Sequence, residues 1–265
     1  MGRIEIDTAN PITLVILRAF IAVAAAAVGG AIGMSKKTVS HKMLCSLVSV
    51  AAGALLAVTA VHIIPETVEI LGGARAAIAI IAGTLVFAGI GKYVYFMCPA
   101  CAASATEHKS GYLRLGLLLM IAMGIHSTVD GLAITAGSAM ASVTAVLILF
   151  AVSYHKVPEG MALVCVARLA GYSRAKALGV TLLIELTTAL GALAGVFLLK
   201  GLNQFWLGIT LAVVAGSFIY TVGFAVLREM YAHEKQSIIF YALLGFASIL
   251  GIGYILAGFG IHHVH

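Results

Sequence analysis

Two short segments carry side chains that could hold a metal ion. His126-Ser127-Thr128-Val129-Asp130-Gly131 and His155-Lys156-Val157-Pro158-Glu159-Gly160 each place a histidine and a carboxylate at i, i+4. On a helix that spacing stacks the two side chains on one face, a turn apart. Each carboxylate is followed by glycine, which lets a second backbone come close. If the two helices face each other, two imidazoles and two carboxylates converge. That donor set suits zinc, iron, manganese or cadmium, whereas calcium favours oxygen ligands alone. The competing reading pairs each His with its own carboxylate as a buried, hydrogen-bonded couple. Two copies of the motif, each in the middle of an apolar run, tip the balance toward metal.

The elements that position these residues must be membrane helices. Of 265 residues, 62% are hydrophobic and 10% charged, with a mean hydropathy of +1.11. A soluble domain carries about a quarter charged residues. A soluble globular enzyme, a disordered chain and a disulfide-rich scaffold are therefore excluded, and an all-α polytopic membrane protein remains. A spanning helix needs about 20 mostly apolar residues. Apolar runs place eight helices near 11–33, 44–66, 76–97, 113–137, 143–167, 177–199, 205–227 and 237–260, within a single transmembrane domain over 1–265. The first run is read as a retained helix, because its flank carries Glu5 and Asp7 beside Arg3.

Net charge is +6. In this setting the excess belongs to cytoplasmic loops and carries no nucleic-acid partner. Eleven of the 16 Lys and Arg residues fall on one set of connections and adjoining helix ends, including Lys36, Lys37, Arg168, Arg174 and Lys176. Only Arg3, Arg75 and Lys200 fall on the other. The bias places both termini outside the cytoplasm and the chain in the plasma (inner) membrane.

An ionisable side chain at mid-bilayer costs about 2.5–3.5 kcal/mol or more, so such residues mark a path or a site. Helix five also contains Pro158, which has no N–H for the carbonyl of Tyr154, so the helix is expected to loosen there. A weak repeat joins helices two and seven. Ala52-Gly53 leads to Glu66, and Ala215-Gly216 leads to Glu229 at the same spacing. Either this is an inverted repeat of the kind found in transporters, or it is chance similarity between Ala- and Gly-rich helices. His62 and Glu66 are a candidate metal entrance, or else a helix end stopped by Pro65. Glu229 reads as an ordinary loop residue beside Arg228. Cys98-Pro99-Ala100-Cys101 is half a metal site and reads as a reduced pair. His262, His263 and His265 read as a frayed tail. Arg18, inside helix one, is expected to pair with a core carboxylate.

Asp130-Gly131-Leu132-Ala133-Ile134 after His126, and Pro158-Glu159-Gly160-Met161-Ala162 after His155, resemble the signature helices of the ZIP (Zrt/Irt-like) metal transporters, in particular the GufA-like bacterial branch. His62-Ile63-Ile64-Pro65-Glu66 is similar to that family's second-helix ending. The resemblance implies eight helices, import of a divalent metal, and a transport site of His126, Asp130, His155 and Glu159, with Asp130 and Glu159 facing a second metal position. Two positions depart from the family pattern. Ser127 stands where Asn is usual, and Lys156 stands where Asn, Asp or Glu is common. An ammonium cannot ligate a metal, but its three donors can bond carboxylates. Lys156 is therefore expected to take the place of the second metal, unless it snorkels to an interface. Thr188 stands where the family often has Glu, and Glu185, about a turn earlier, could pair with Lys156. The expected function is a divalent-metal permease, zinc first, with no cofactor beyond the transported ion. The alternative is an intramembrane zinc hydrolase acting on a lipid, with Ser127 near an activated water. Lipids surround the chain in either case, and Gly-rich helices would allow a close-packed homodimer.

Overall fold

A computed structural model describes residues 11–35, 40–93, 112–140, 142–200, 203–227 and 235–258. The Cys98–Cys101 pair, Glu229 and the C-terminal histidines lie outside these residues. Among them, eight helical spans are long and apolar enough to cross a membrane: Ile12–Ser35, Lys42–Leu71, Gly73–Lys92, Leu117–Ser138, Val143–Leu169, Arg174–Leu199, Gln204–Gly223 and Ile238–Gly258. We number them spans one to eight. Helix is the form such runs must take in lipid, because it satisfies every backbone group within the segment. Polar side chains mark several starts. Ser40 Oγ accepts from the N–H of Met43, Ser173 Oγ from Lys176 and Asn203 Oδ1 from Trp206. Gly72, at φ 79°, makes the sharp break between spans two and three, and Gly171, at φ 91°, lies between spans five and six.

Span two runs further than Pro65 led us to expect. The helix passes through a π-helical stretch at Thr59–Ile63 and resumes as Ile64–Leu71. The N–H of Ile64 reaches back five residues to the carbonyl of Thr59. Pro65 then falls in the first turn of the resumed helix, where its missing N–H is least needed. Pro158 does not interrupt span five either, and the helix is continuous over Ser142–Leu169.

Without a hydrophobic force between helices in lipid, close packing must hold them together, and small residues permit it. Eight glycines supply four reciprocal crossings. A Cβ on Gly160 would strike the carbonyl of Ala26, and one on Gly29 the carbonyl of Val157, so spans one and five touch backbone to backbone. Gly131 and Gly191 do the same for spans four and six, against Thr188 and Thr128. Gly53 and Gly245 join spans two and eight against Ala242 and Val50, and Gly83 and Gly216 join three and seven against Val213 and Ile80.

These crossings reveal the repeat. Ala26 and Gly29 of span one correspond to Thr188 and Gly191 of span six. Val50 and Gly53 correspond to Val213 and Gly216, and Ile80 and Gly83 to Ala242 and Gly245. Spans four and five exchange with each other, Gly131 for Gly160. Burial follows the same pairing: the most apolar windows of spans one and six are each 28% buried, of two and seven 61%, and of three and eight 17%. The second π-helical stretch, Ile219–Leu227, lies where the correspondence puts the first. Chance similarity between two helices would not reproduce eight contacts and these burial pairs. Spans related in this way cross the membrane in opposite directions, as an inverted repeat requires.

Spans one, four, five and six pack as one group, and spans two, three, seven and eight as another. The main apolar cluster lies between them. It draws Leu55, Val58 and Ile63 from span two, Ile134 from span four, Leu147 and Ile148 from span five, and Phe218 from span seven.

Candidate metal centre

Span four carries His126 and Asp130, and span five carries His155 and Glu159. All four side chains are buried, and one ligand atom from each lies within 4.8 Å of the others. His155 Nε2 is 3.2 Å from Asp130 Oδ2 and 3.4 Å from Glu159 Oε2, and His126 Nε2 is 3.7 Å from Asp130 Oδ2. Four ligands at about 2.0–2.1 Å around a tetrahedral ion sit roughly 3.3 Å apart. The observed spacing therefore needs only small side-chain shifts to close on an ion. The close approach of spans four and five to six and one, through Gly131 and Gly160, sets the height of both carboxylates in the bundle.

His155 also has a partner on its other ring nitrogen. Its Nδ1 is 3.2 Å from the carbonyl of Ala151, one turn back. With the hydrogen on Nδ1, that nitrogen would be the donor and Nε2 would be free to ligate a metal. His126 Nδ1 and Asp130 Oδ1 are buried with no hydrogen-bond partner among the described residues. The Ala151 carbonyl went unnoticed in the sequence, although its i−4 position before His155 is visible there.

Lys156 is fully buried and does not snorkel. Its Nζ lies 2.9 Å from Asp130 Oδ2, 3.0 Å from Glu159 Oε2 and 3.0 Å from Glu185 Oε2. It also donates to Ser127 Oγ at 2.7 Å, and Ser127 in turn donates to Glu159 Oε1 at 3.1 Å. The two departures from the family pattern, Ser127 and Lys156, thus bond each other across spans four and five, and Glu185 of span six completes the ring. Thr188 is buried with its hydroxyl unpartnered, and its carbonyl faces Gly131.

Other candidates lie elsewhere. His62 is in the π-helical stretch of span two, half-buried, with Nε2 near Gly253 of span eight. Glu66 follows in the resumed helix, and neither joins the four-residue cluster. Among the described residues, Arg18 meets no carboxylate. Its Nη1 donates to Ser138 Oγ at 2.7 Å, at the C-terminal end of span four, where a cation also meets the negative end of the helix dipole.

Eight apolar spans make the chain an integral membrane protein, and a buried His/carboxylate cluster between two central spans is suited to a metal ion in transit. A protein-family model described as ZIP zinc transporter matches residues 99–256, which include spans four to seven, all but the last two residues of span eight and the whole cluster. The chain belongs to the ZIP zinc transporter family, and its class is that of a metal transporter, not an enzyme. Curated relatives agree. A zinc transporter ZupT from Corynebacterium efficiens is 28% identical over 248 residues, covering 88% of this chain and 92% of that protein. A zinc transporter ZupT from Chlorobaculum parvum is 29% identical over 217 residues, covering 74% and 80%.

Proposed function

We propose that this protein carries a divalent transition metal, zinc first, from outside the cell into the cytoplasm through His126, Asp130, His155 and Glu159. The observation that carries this reading is the convergence of those four side chains midway along two apolar spans of a ZIP-family chain. Iron(II), manganese and cadmium suit the same donors. Lys156 stands in for a second metal. Its ammonium places one positive charge among the carboxylates of Asp130, Glu159 and Glu185, as a second metal would. The distribution of Lys and Arg supports termini outside a plasma membrane. The inverted repeat supports alternating exposure of the site to the two sides. No Walker A motif is present in the sequence to couple transport to ATP.

The test is uptake of zinc, cadmium, iron(II) and manganese(II) into liposomes holding the purified protein, beside Glu159→Ala. Uptake by wild type and its loss in the variant are expected. No uptake of any of the four by folded wild-type protein, under several pH gradients, would end this reading.

A further inference from the structure

Lys156 has more acceptors than donors. An ammonium carries three N–H groups, yet four oxygens surround this one within 3.0 Å: Ser127 Oγ, Asp130 Oδ2, Glu159 Oε2 and Glu185 Oε2. Two of those atoms, Asp130 Oδ2 and Glu159 Oε2, are also the oxygens at 3.2 and 3.4 Å from His155 Nε2. A metal bound through those two atoms and the ammonium claim the same oxygens, and their like charges repel at short range. Glu185 is different. It is fully buried, it does not belong to the four-ligand cluster, and neither of its oxygens has a hydrogen-bond partner beyond the ion pair with Lys156.

Spans four and six are locked in contact where Gly131 meets the carbonyl of Thr188 and Gly191 that of Thr128. The movable part is the four-carbon stem of Lys156. From this, and resting on the reading of the cluster as the transport site, we propose that Lys156 is a tethered competitor for the metal, and that Glu185 is the positioning residue that receives its ammonium when the metal binds. In the empty site the ammonium sits against Asp130 and Glu159 and offsets part of their charge. An arriving metal displaces it onto Glu185 and Ser127. The ammonium held beside the loaded site then presses to return, which favours release of the ion. A resident second metal at that position would instead have to be held or exchanged at each cycle.

The first test is a crystal structure of the wild-type protein with cadmium, located by anomalous scattering. With cadmium in the cluster, Lys156 Nζ is expected to stay within about 3 Å of Glu185 and to leave hydrogen-bond distance of Asp130 Oδ2 and Glu159 Oε2. An ammonium still on both those oxygens beside bound cadmium overturns the proposal and leaves the transport site standing. Cadmium bound away from the cluster overturns both. The second test is Glu185→Gln. With no charged acceptor, the ammonium stays on the metal's oxygens, so KM for cadmium uptake should rise about tenfold, the scale of one charge-assisted contact, with Vmax within about twofold. The visible spectrum of cobalt(II) in the site should not change, because Glu185 is not a ligand. An unchanged KM, or a changed cobalt spectrum, overturns the assignment. If Glu185→Gln does not fold, Glu185→Asp, which keeps the charge on a shorter stem, should show the same split at smaller size.

Discussion

Replacing Lys156 by alanine leaves three buried carboxylates facing one another with no cation. Each of the three contacts, at 2.9, 3.0 and 3.0 Å, is worth about 5–6 kcal/mol of gross attraction at an effective dielectric near 20. Much of that only offsets the cost of taking the four charges out of water. The net cost of breaking a buried ionic cluster by removing one partner is about 3–5 kcal/mol. The variant should therefore unfold on heating well below wild type in the presence of a chelator. Zinc changes the comparison. If the ammonium stands in for a metal, the vacated space between Asp130, Glu159 and Glu185 should accept a second ion, and a ligand at 100 times its Kd returns about 2.7 kcal/mol. The expected result is a large stability defect in chelator that zinc mostly repairs, with two ions per chain by elemental analysis against one for wild type. A variant as stable as wild type in chelator would refute the electrostatic argument. A defect that zinc repairs no better than in wild type, or one ion bound in both proteins, would refute the stand-in.

The glycine crossings and the Arg18 contact give further checks. Gly160→Ala drives a methyl into the Ala26 carbonyl and should destabilise the detergent-solubilised protein by about 1–3 kcal/mol, as overpacking does. Gly89→Ala, in a helix where an added Cβ meets nothing within 4 Å, should be neutral or stabilising by up to about 1 kcal/mol. Equal melting shifts for the two would argue against the crossings. Arg18→Leu and Ser138→Ala each break the 2.7 Å hydrogen bond between spans one and four and should each cost about 1.5–3 kcal/mol. The double variant should cost little more than either single one, and additive effects would mean the bond contributes nothing.

Much of this protein is legible along the chain because the rules involved are local. Length and hydropathy define the eight spans, since a helix closes its hydrogen bonds within four residues and lipid offers no alternative. The i, i+4 spacing of His126 with Asp130, and of His155 with Glu159, puts each pair on one face whatever surrounds it. The glycine after each carboxylate announces a close neighbour without saying which. Tertiary structure supplied the neighbours: Ala26 for Gly160, Thr188 for Gly131, Ser138 for Arg18. Those partners lie far away in sequence and depend on the rotation and height at which whole helices cross, which no spacing within one helix encodes. The same is true of the ring around Lys156. Its charge and its place beside His155 are plain in the sequence, but whether it snorkels or is buried depends on spans four, five and six meeting at one level. Their contact there, with Gly131 and Gly191 letting spans four and six touch backbone to backbone, is what sets three carboxylates around a single ammonium.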